Sequence, residues 1–171
     1  RMSKLQGNKV VGIVKEVYNK WERRAPLCPV HVKRLITEGC RVLVQPSDRR
    51  IFTDREYERV GAEITEDLSP ASVVFGVKQV PVEDLLPDRS YVFFSHVIKA
   101  QPENMDLLDA LLEKNIRLFD YETITKGGSR NSPRLVAFGG FAGRAGMVSA
   151  LRGLGERMLC LGYSTPFLNV G

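Results

Sequence analysis

Five-residue apolar runs recur along this chain, and their rhythm constrains the fold more than any other feature. They are Val10–Val14 (VVGIV), Arg41–Gln45 (RVLVQ), Val73–Val77, Tyr91–Ser95 and Ile116–Asp120 (IRLFD). Short runs rich in β-branched residues, with little polar alternation, suit strands covered on both faces, as in a parallel sheet. The stretches between them carry helical signals. Pro29 opens a helix bearing Val32, Leu35 and Ile36, which stops at Gly39. Asp54 reads as the N-cap of a short helix running to about Val60, with Gly61 after it. Gln101–Pro102–Glu103 opens the clearest helix, with Met105, Leu108, Leu111 and Leu112 at helical spacing up to Lys114–Asn115. Arg134–Phe138 reads as a shorter extended run. Strands alternating with helices predict an α/β fold built on a doubly wound, mostly parallel sheet.

The last stretch behaves differently. Phe138–Leu159 spaces Gly139, Ala142, Gly143, Gly146 and Ala150 so that a helix here presents a face on which another backbone can approach closely. Such a face suits an interdomain or homo-oligomeric contact. The expected organisation is therefore an α/β domain over residues 9–137 and a glycine-rich helical segment over 138–171. The chain ends after the turn chemistry of "GYSTPFLNVG", which reads as a truncated piece of a longer polypeptide.

Composition narrows the class. With 43% hydrophobic and 26% charged residues over 171 positions, the chain can bury a real core and falls among ordinary globular proteins. No apolar stretch reaches the ~18–20 residues of a membrane span, and Arg1–Asn8 has neither a signal-peptide core nor an extended transit pattern. A net charge of +5, without interleaved aromatic and basic residues, argues against nucleic acid and suits small anionic ligands. Three widely spaced cysteines without C-x-x-C, and only two histidines, indicate neither a disulfide framework nor a metal site. Reduced thiols predict a cytoplasmic protein, with the mitochondrial matrix as the alternative.

Ligands of open parallel sheets bind outside the carboxyl ends of the strands. Lys78 follows the third run, His96 the fourth and Glu122 the fifth, while Arg23 and Arg24 lie in the loop after the first. Each has a plainer reading: a solvated lysine, a packing histidine, a helix-capping glutamate, arginines paired with Glu22. Their convergence on one rim favours a site. The glycine-rich tail matches neither G-x-G-x-x-G nor the phosphate-loop pattern, so no cofactor-binding residue is assigned within the chain.

The segments "WERRAPLCP" (Trp21–Pro29), "GVK" (Gly76–Lys78), "FFSHVIKAQ" (Phe93–Gln101), "FDYETI" (Phe119–Ile124), "LVAFGGFAGRAG" (Leu135–Gly146) and "LGYSTPFL" (Leu161–Leu168) carry a resemblance over nearly the whole chain. In this order they resemble the lysine–2-oxoglutarate reductases, the saccharopine-forming part of bifunctional aminoadipic semialdehyde synthases. More remotely, the first half is similar to the N-terminal domain of alanine dehydrogenases and transhydrogenases. The resemblance implies a Rossmann-like substrate-side domain of a two-domain enzyme. That enzyme condenses lysine with 2-oxoglutarate and reduces the imine to saccharopine with NADPH, which a later domain of the same polypeptide binds. It implies Lys78 and His96 as the acid–base pair and Glu122 as a nearby carboxylate. Arg24, Lys99 and Arg134 are implied as partners of substrate carboxylates, with Glu16 and Gln101 as lesser candidates for positioning amines. The chain alone is expected to be catalytically silent. The loop Lys126–Pro133 is longer than the family pattern. Two other readings stay open: an amino-acid dehydrogenase of the alanine type, and a non-catalytic ligand-binding module.

Overall fold

The computed structural model describes residues 7–129 and 131–166. Arg1–Gln6, Arg130 and the Phe167–Leu168 end of the Leu161–Leu168 motif lie outside them. Six strands, β1 (Val10–Ile13), β2 (Arg41–Val44), β3 (Glu63–Ile64), β4 (Val73–Phe75), β5 (Ser90–Phe93) and β6 (Arg117–Asp120), form one sheet in the order β3-β2-β1-β4-β5-β6. Every neighbouring pair is parallel. Chain order runs outward from β1 in one direction and from β4 in the other. The β1/β4 boundary is thus the topological switch point, where a crevice opens above the strand ends.

Alternation along the strands explains why they read as continuous apolar runs. Leu43, Val74, Tyr91 and Phe93 face one layer, joined by Leu107, Ala110 and Leu111 of the helix α3 (Met105–Glu113). Val11, Ile13, Val42 and Val44 face the other. There they meet Val32 of α1 (Pro29–Thr37) and Tyr57 of α2 (Asp54–Glu58). Both faces of the central strands β1, β2, β4 and β5 are buried, so their polar residues, Arg41 and Ser90, stand only at the strand starts. Full burial of side chains such as Phe93 and Ile13 contributes about 1.5–3 kcal/mol each.

The expected elements differ from the observed ones at several points. Thr53, not Asp54, caps α2, through a capping box in which the Glu56 side chain reaches back to the Thr53 amide at 2.7 Å. Asp54 is instead the first helical residue. Glu63–Ile64 adds an edge strand too short to show periodicity. Arg134–Phe138 forms no strand: only Arg134 makes a single β-bridge and Leu135 is exposed, and β propensity without burial and a continuing ladder does not make one.

The chain divides into two compact units between Pro133 and Arg134. The second contains α4 (Gly139–Cys160), which ends at Leu161 with Gly162 in the left-handed region, φ 83°. The Tyr163 amide returns to the Met158 carbonyl at 3.0 Å, closing the helix end.

Candidate active site

The adjacent strands β1, β4, β5 and β6 end at one rim, and each delivers a charged or titratable side chain within a few residues of its last paired position. The loop after β1 is fixed at its far end, where Tyr57 Oη donates to the Leu27 carbonyl at 2.7 Å and the Ile51 amide to the Arg23 carbonyl at 2.8 Å. Within it, Glu22 is only 9% exposed and accepts Arg24 Nε at 2.8 Å and Arg24 Nη2 at 2.7 Å. This is the two-pronged guanidinium–carboxylate geometry. Arg24's bonds hold the Glu22 carboxyl below its usual range against the opposing effect of burial, with a smaller contribution from the nearby Lys78 charge. The plainer reading of Arg24, a partner for Glu22, is thus what its side chain does here. A substrate carboxylate reaching Arg24 would share it with Glu22.

Glu16 sits at the switch point itself. Its carboxylate accepts the backbone amides of Val77 at 2.6 Å and Lys78 at 3.0 Å, tying the end of β1 to the end of β4. Burial pushes the Glu16 carboxyl up, and these bonds only partly offset it. Its role is thus to hold the Lys78 backbone. Lys78 Nζ lies 5.6 Å from the centre of the Tyr18 ring. A cavity of about 520 Å³ opens beside it, lined by Glu16, Glu66, Asp67, Lys78, Glu83 and Asp84 among others. Lys15 also lines it and pairs with Glu66 at 2.9 Å, so the rim is acidic but partly neutralised.

After β5 the backbone turns sharply. His96 and Ala100 both take left-handed conformations, φ 60° and 51°, around a tight turn at Val97–Lys99. Such conformations cost non-glycine residues about 1–2 kcal/mol each and persist where surrounding contacts impose them. The turn folds Lys99 back over His96. His96 Nδ1 lies 3.0 Å from Glu122 Oε2 and 3.0 Å from Lys99 Nζ, while Lys99 Nζ is 3.3 Å from Glu122 Oε1. One ring nitrogen carries either a proton or a lone pair, so Nδ1 donates to Glu122 or accepts from Lys99, never both. With its proton directed at Glu122, Nε2 is left as the atom that exchanges protons. Burial raises the Glu122 carboxyl, but the bonds from His96 and Lys99 together outweigh it and hold the group below its usual range.

The rim therefore carries two clusters, Glu16–Glu22–Arg24–Lys78 and His96–Lys99–Glu122. They meet through Gln79, whose side-chain amide donates to the Ser95 carbonyl and, at 2.8 Å, to Asn104 Oδ1. Tyr121 stands between them: its ring packs on Phe94 with centroids 5.0 Å apart, and burial, aided by the Glu16 charge, pushes its phenol up to about 12. Gln101 is exposed and precedes the turn at Pro102–Asn104. Arg134 is exposed and begins the second unit. Residues that reading the sequence passed over include Gln79, Ser95, Asp120 and Tyr121. Their only signal was position next to Lys78, His96 and Glu122.

Among the described residues no cluster of histidine, cysteine, aspartate and glutamate could hold a metal ion. A nicotinamide dinucleotide does not fit this rim either. A fold of this strand order receives a pyrophosphate at the turn after β1. Here that crossover, Val14–Cys28, contains no glycine and folds Glu22 inward.

Comparison with known proteins gives consistent results. The model of the alanine dehydrogenase/PNT N-terminal domain matches residues 12–145. An alpha-aminoadipic semialdehyde synthase of Arabidopsis thaliana is 53% identical over 96% of this chain, and the mitochondrial one of Bos taurus 48% over 95%. The matches cover only 16% and 17% of those proteins, so the chain spans about a sixth of their length. A Candida glabrata saccharopine dehydrogenase (NAD(+), L-lysine-forming) is 35% identical over 76% of the chain and 36% of its own length. Among solved structures, a transhydrogenase from Sinorhizobium meliloti aligns with a TM-score of 0.60 at 21% identity, over 68% of this chain and 36% of its own. An L-alanine dehydrogenase aligns equally well at 24% identity, over 71% and 35%. These two share the fold. The chain belongs to the alanine dehydrogenase/PNT N-terminal domain family.

Proposed function

We propose that the chain is the substrate-binding and acid–base part of an NADPH-dependent lysine–2-oxoglutarate reductase, which forms saccharopine in lysine degradation. The observation that carries this reading is the pairing of His96, with Lys99, after β5 to Glu122 after β6, beside Lys78 after the neighbouring β4. The identity to the aminoadipic semialdehyde synthases supports the choice of lysine chemistry over the alanine type.

Joining lysine to 2-oxoglutarate needs an amine freed of its proton, a water lost from the adduct, and a proton held near the resulting imine. His96 Nε2 and Lys78 Nζ take and return those protons. Glu122 holds the His96 ring by Nδ1, and Glu16 holds the Lys78 backbone. Arg24, Lys99 and Arg134 meet carboxylates of the substrates. The acidic rim beside Lys78 receives ammonium groups. NADPH supplies hydride from another domain of the polypeptide. In this division residues 9–137 form the substrate side, the helical segment from 138 leads towards the cofactor side, and the chain alone is inactive. The mitochondrial names of the mammalian relatives favour the matrix over the cytoplasm.

In the full-length polypeptide, Lys78→Met and His96→Gln should each lower saccharopine-forming turnover by about 10²- to 10⁴-fold with little change in thermal stability. Wild-type turnover in both variants would sink the reading.

A further inference from the structure

Ser95 and Asp120 lie beneath the acid–base rim, 0% and 5% exposed, so a substrate reaches neither side chain directly. Asp120 closes β6 and Ser95 follows β5 at the opposite side of the same junction. The Asp120 carboxylate accepts three donors. Its Oδ2 takes the Ser95 hydroxyl and, at 3.3 Å, the Ser95 amide; its Oδ1 takes the Glu122 amide at 2.8 Å. Ser95 Oγ in turn accepts the Val97 amide at 3.2 Å, and the Ser95 carbonyl accepts Gln79. One buried carboxylate thus grips the peptide on the N-terminal side of His96 and the peptide that carries Glu122.

We propose that Asp120 is a positioning residue: by joining the Ser95–Val97 turn to the Glu122 backbone it fixes the distance between the His96 ring and the Glu122 carboxylate. The left-handed backbone at His96 gives the grip its purpose, since that conformation is unfavourable without contacts that impose it. Side-chain packing alone could hold two strand ends together. It would not require three hydrogen bonds to converge on one carboxylate at the junction of the two functional peptides. Asparagine is almost isosteric but cannot repeat the grip. Its oxygen can face Ser95 or Glu122, and its amide group then points at a donor on the other side.

This inference rests on the reading of His96 and Glu122 as an acid–base pair, and two measurements separate the fates of the two claims. In the substrate-free full-length polypeptide, Asp120→Asn should speed hydrogen–deuterium exchange at the Ser95, Val97 and Glu122 amides while those of β1 and β4 stay as in the wild type. That readout needs no activity. In turnover, Asp120→Asn should lower kcat by about 10- to 100-fold, the scale of a roughly 1 Å misplacement, with KM within about threefold. Its effect should nearly vanish when added to His96→Gln, because the two act through one group. If Asp120→Asn does not fold, Ser95→Ala removes the hydroxyl half of the grip and must show the same local exchange and kcat loss. Unchanged exchange at the three amides, or a kcat loss equally large in the His96→Gln background, overturns the positioning role. Absence of saccharopine formation by the wild type sinks the function instead and leaves the exchange result standing.

Discussion

At the scale of single residues, carboxylates organise this rim and cations populate it. Glu22 shows the balance most clearly. Arg24's hydrogen bonds lower its carboxyl in the folded chain, so the stabilisation it contributes is complete above the unfolded carboxylate range and is lost as pH falls through the depressed folded value. Arg24→Met leaves a nearly buried carboxylate without its fork. The variant should therefore melt at a lower temperature than wild type near pH 7, and the gap should shrink below about pH 4 as Glu22 protonates. A gap independent of pH, in thermal melts across that range, would contradict the assignment. Glu16 has the opposite sign: its folded-state carboxyl is raised, so its contribution is complete below the usual carboxylate range and is lost as pH climbs from there through the raised folded value. Lys78, His96 and Glu122 could be singled out in the sequence because each lies within two residues of the end of an apolar run. The partnerships of Asp120, Ser95 and Gln79 were not, because they connect positions 16 to 25 residues apart across strand ends.

Among the elements, the apolar runs exceed the strands they announce, and the excess is informative. Val14, Gln45, Val77 and Ser95 were read as strand residues, yet all lie beyond the last paired position of their strands. They remain half or fully buried because the chain turns over the sheet edge there, and that turning forms the rim. Gly76 marks the tightest point. A Cβ added to it would lie 3.0 Å from Val14 Cγ2 and 3.3 Å from the Lys78 carbonyl oxygen, with Glu16 Oε1 at 3.6 Å. Gly76→Ala should thus destabilise the fold by about 1–3 kcal/mol in denaturant titrations, the usual cost of overpacking. It should also reduce turnover in the full-length polypeptide, because relief of the clash shifts Val14 or the Lys78 peptide at the end of β4. Stability equal to wild type would show that the edge has slack. The edge strand β3 escaped the sequence for a different reason. Two residues cannot display a period, and β3 is held by its parallel pairing to β2, with the half-exposed Arg41–Glu63 ion pair at 2.6 Å alongside.

For the whole molecule, strand order carries the argument. A parallel sheet whose connections diverge at β1/β4 places its crevice where Glu16 and Lys78 lie, one strand away from His96. The alternation of runs and helices predicted the layers, whereas the division at Pro133/Arg134 and the lack of a strand at Arg134–Phe138 depend on packing that no local pattern encodes. At the ends of β1, β4, β5 and β6 the rim gathers Glu16, Lys78, His96 and Glu122, the groups on which the proposed substrate side depends. The most direct measurement is NADPH oxidation by that full-length polypeptide, followed with lysine plus 2-oxoglutarate and separately with ammonia plus pyruvate. The account expects oxidation that requires lysine and 2-oxoglutarate together and yields saccharopine. Oxidation only with ammonia and pyruvate, or with neither pair by a folded protein, would contradict it.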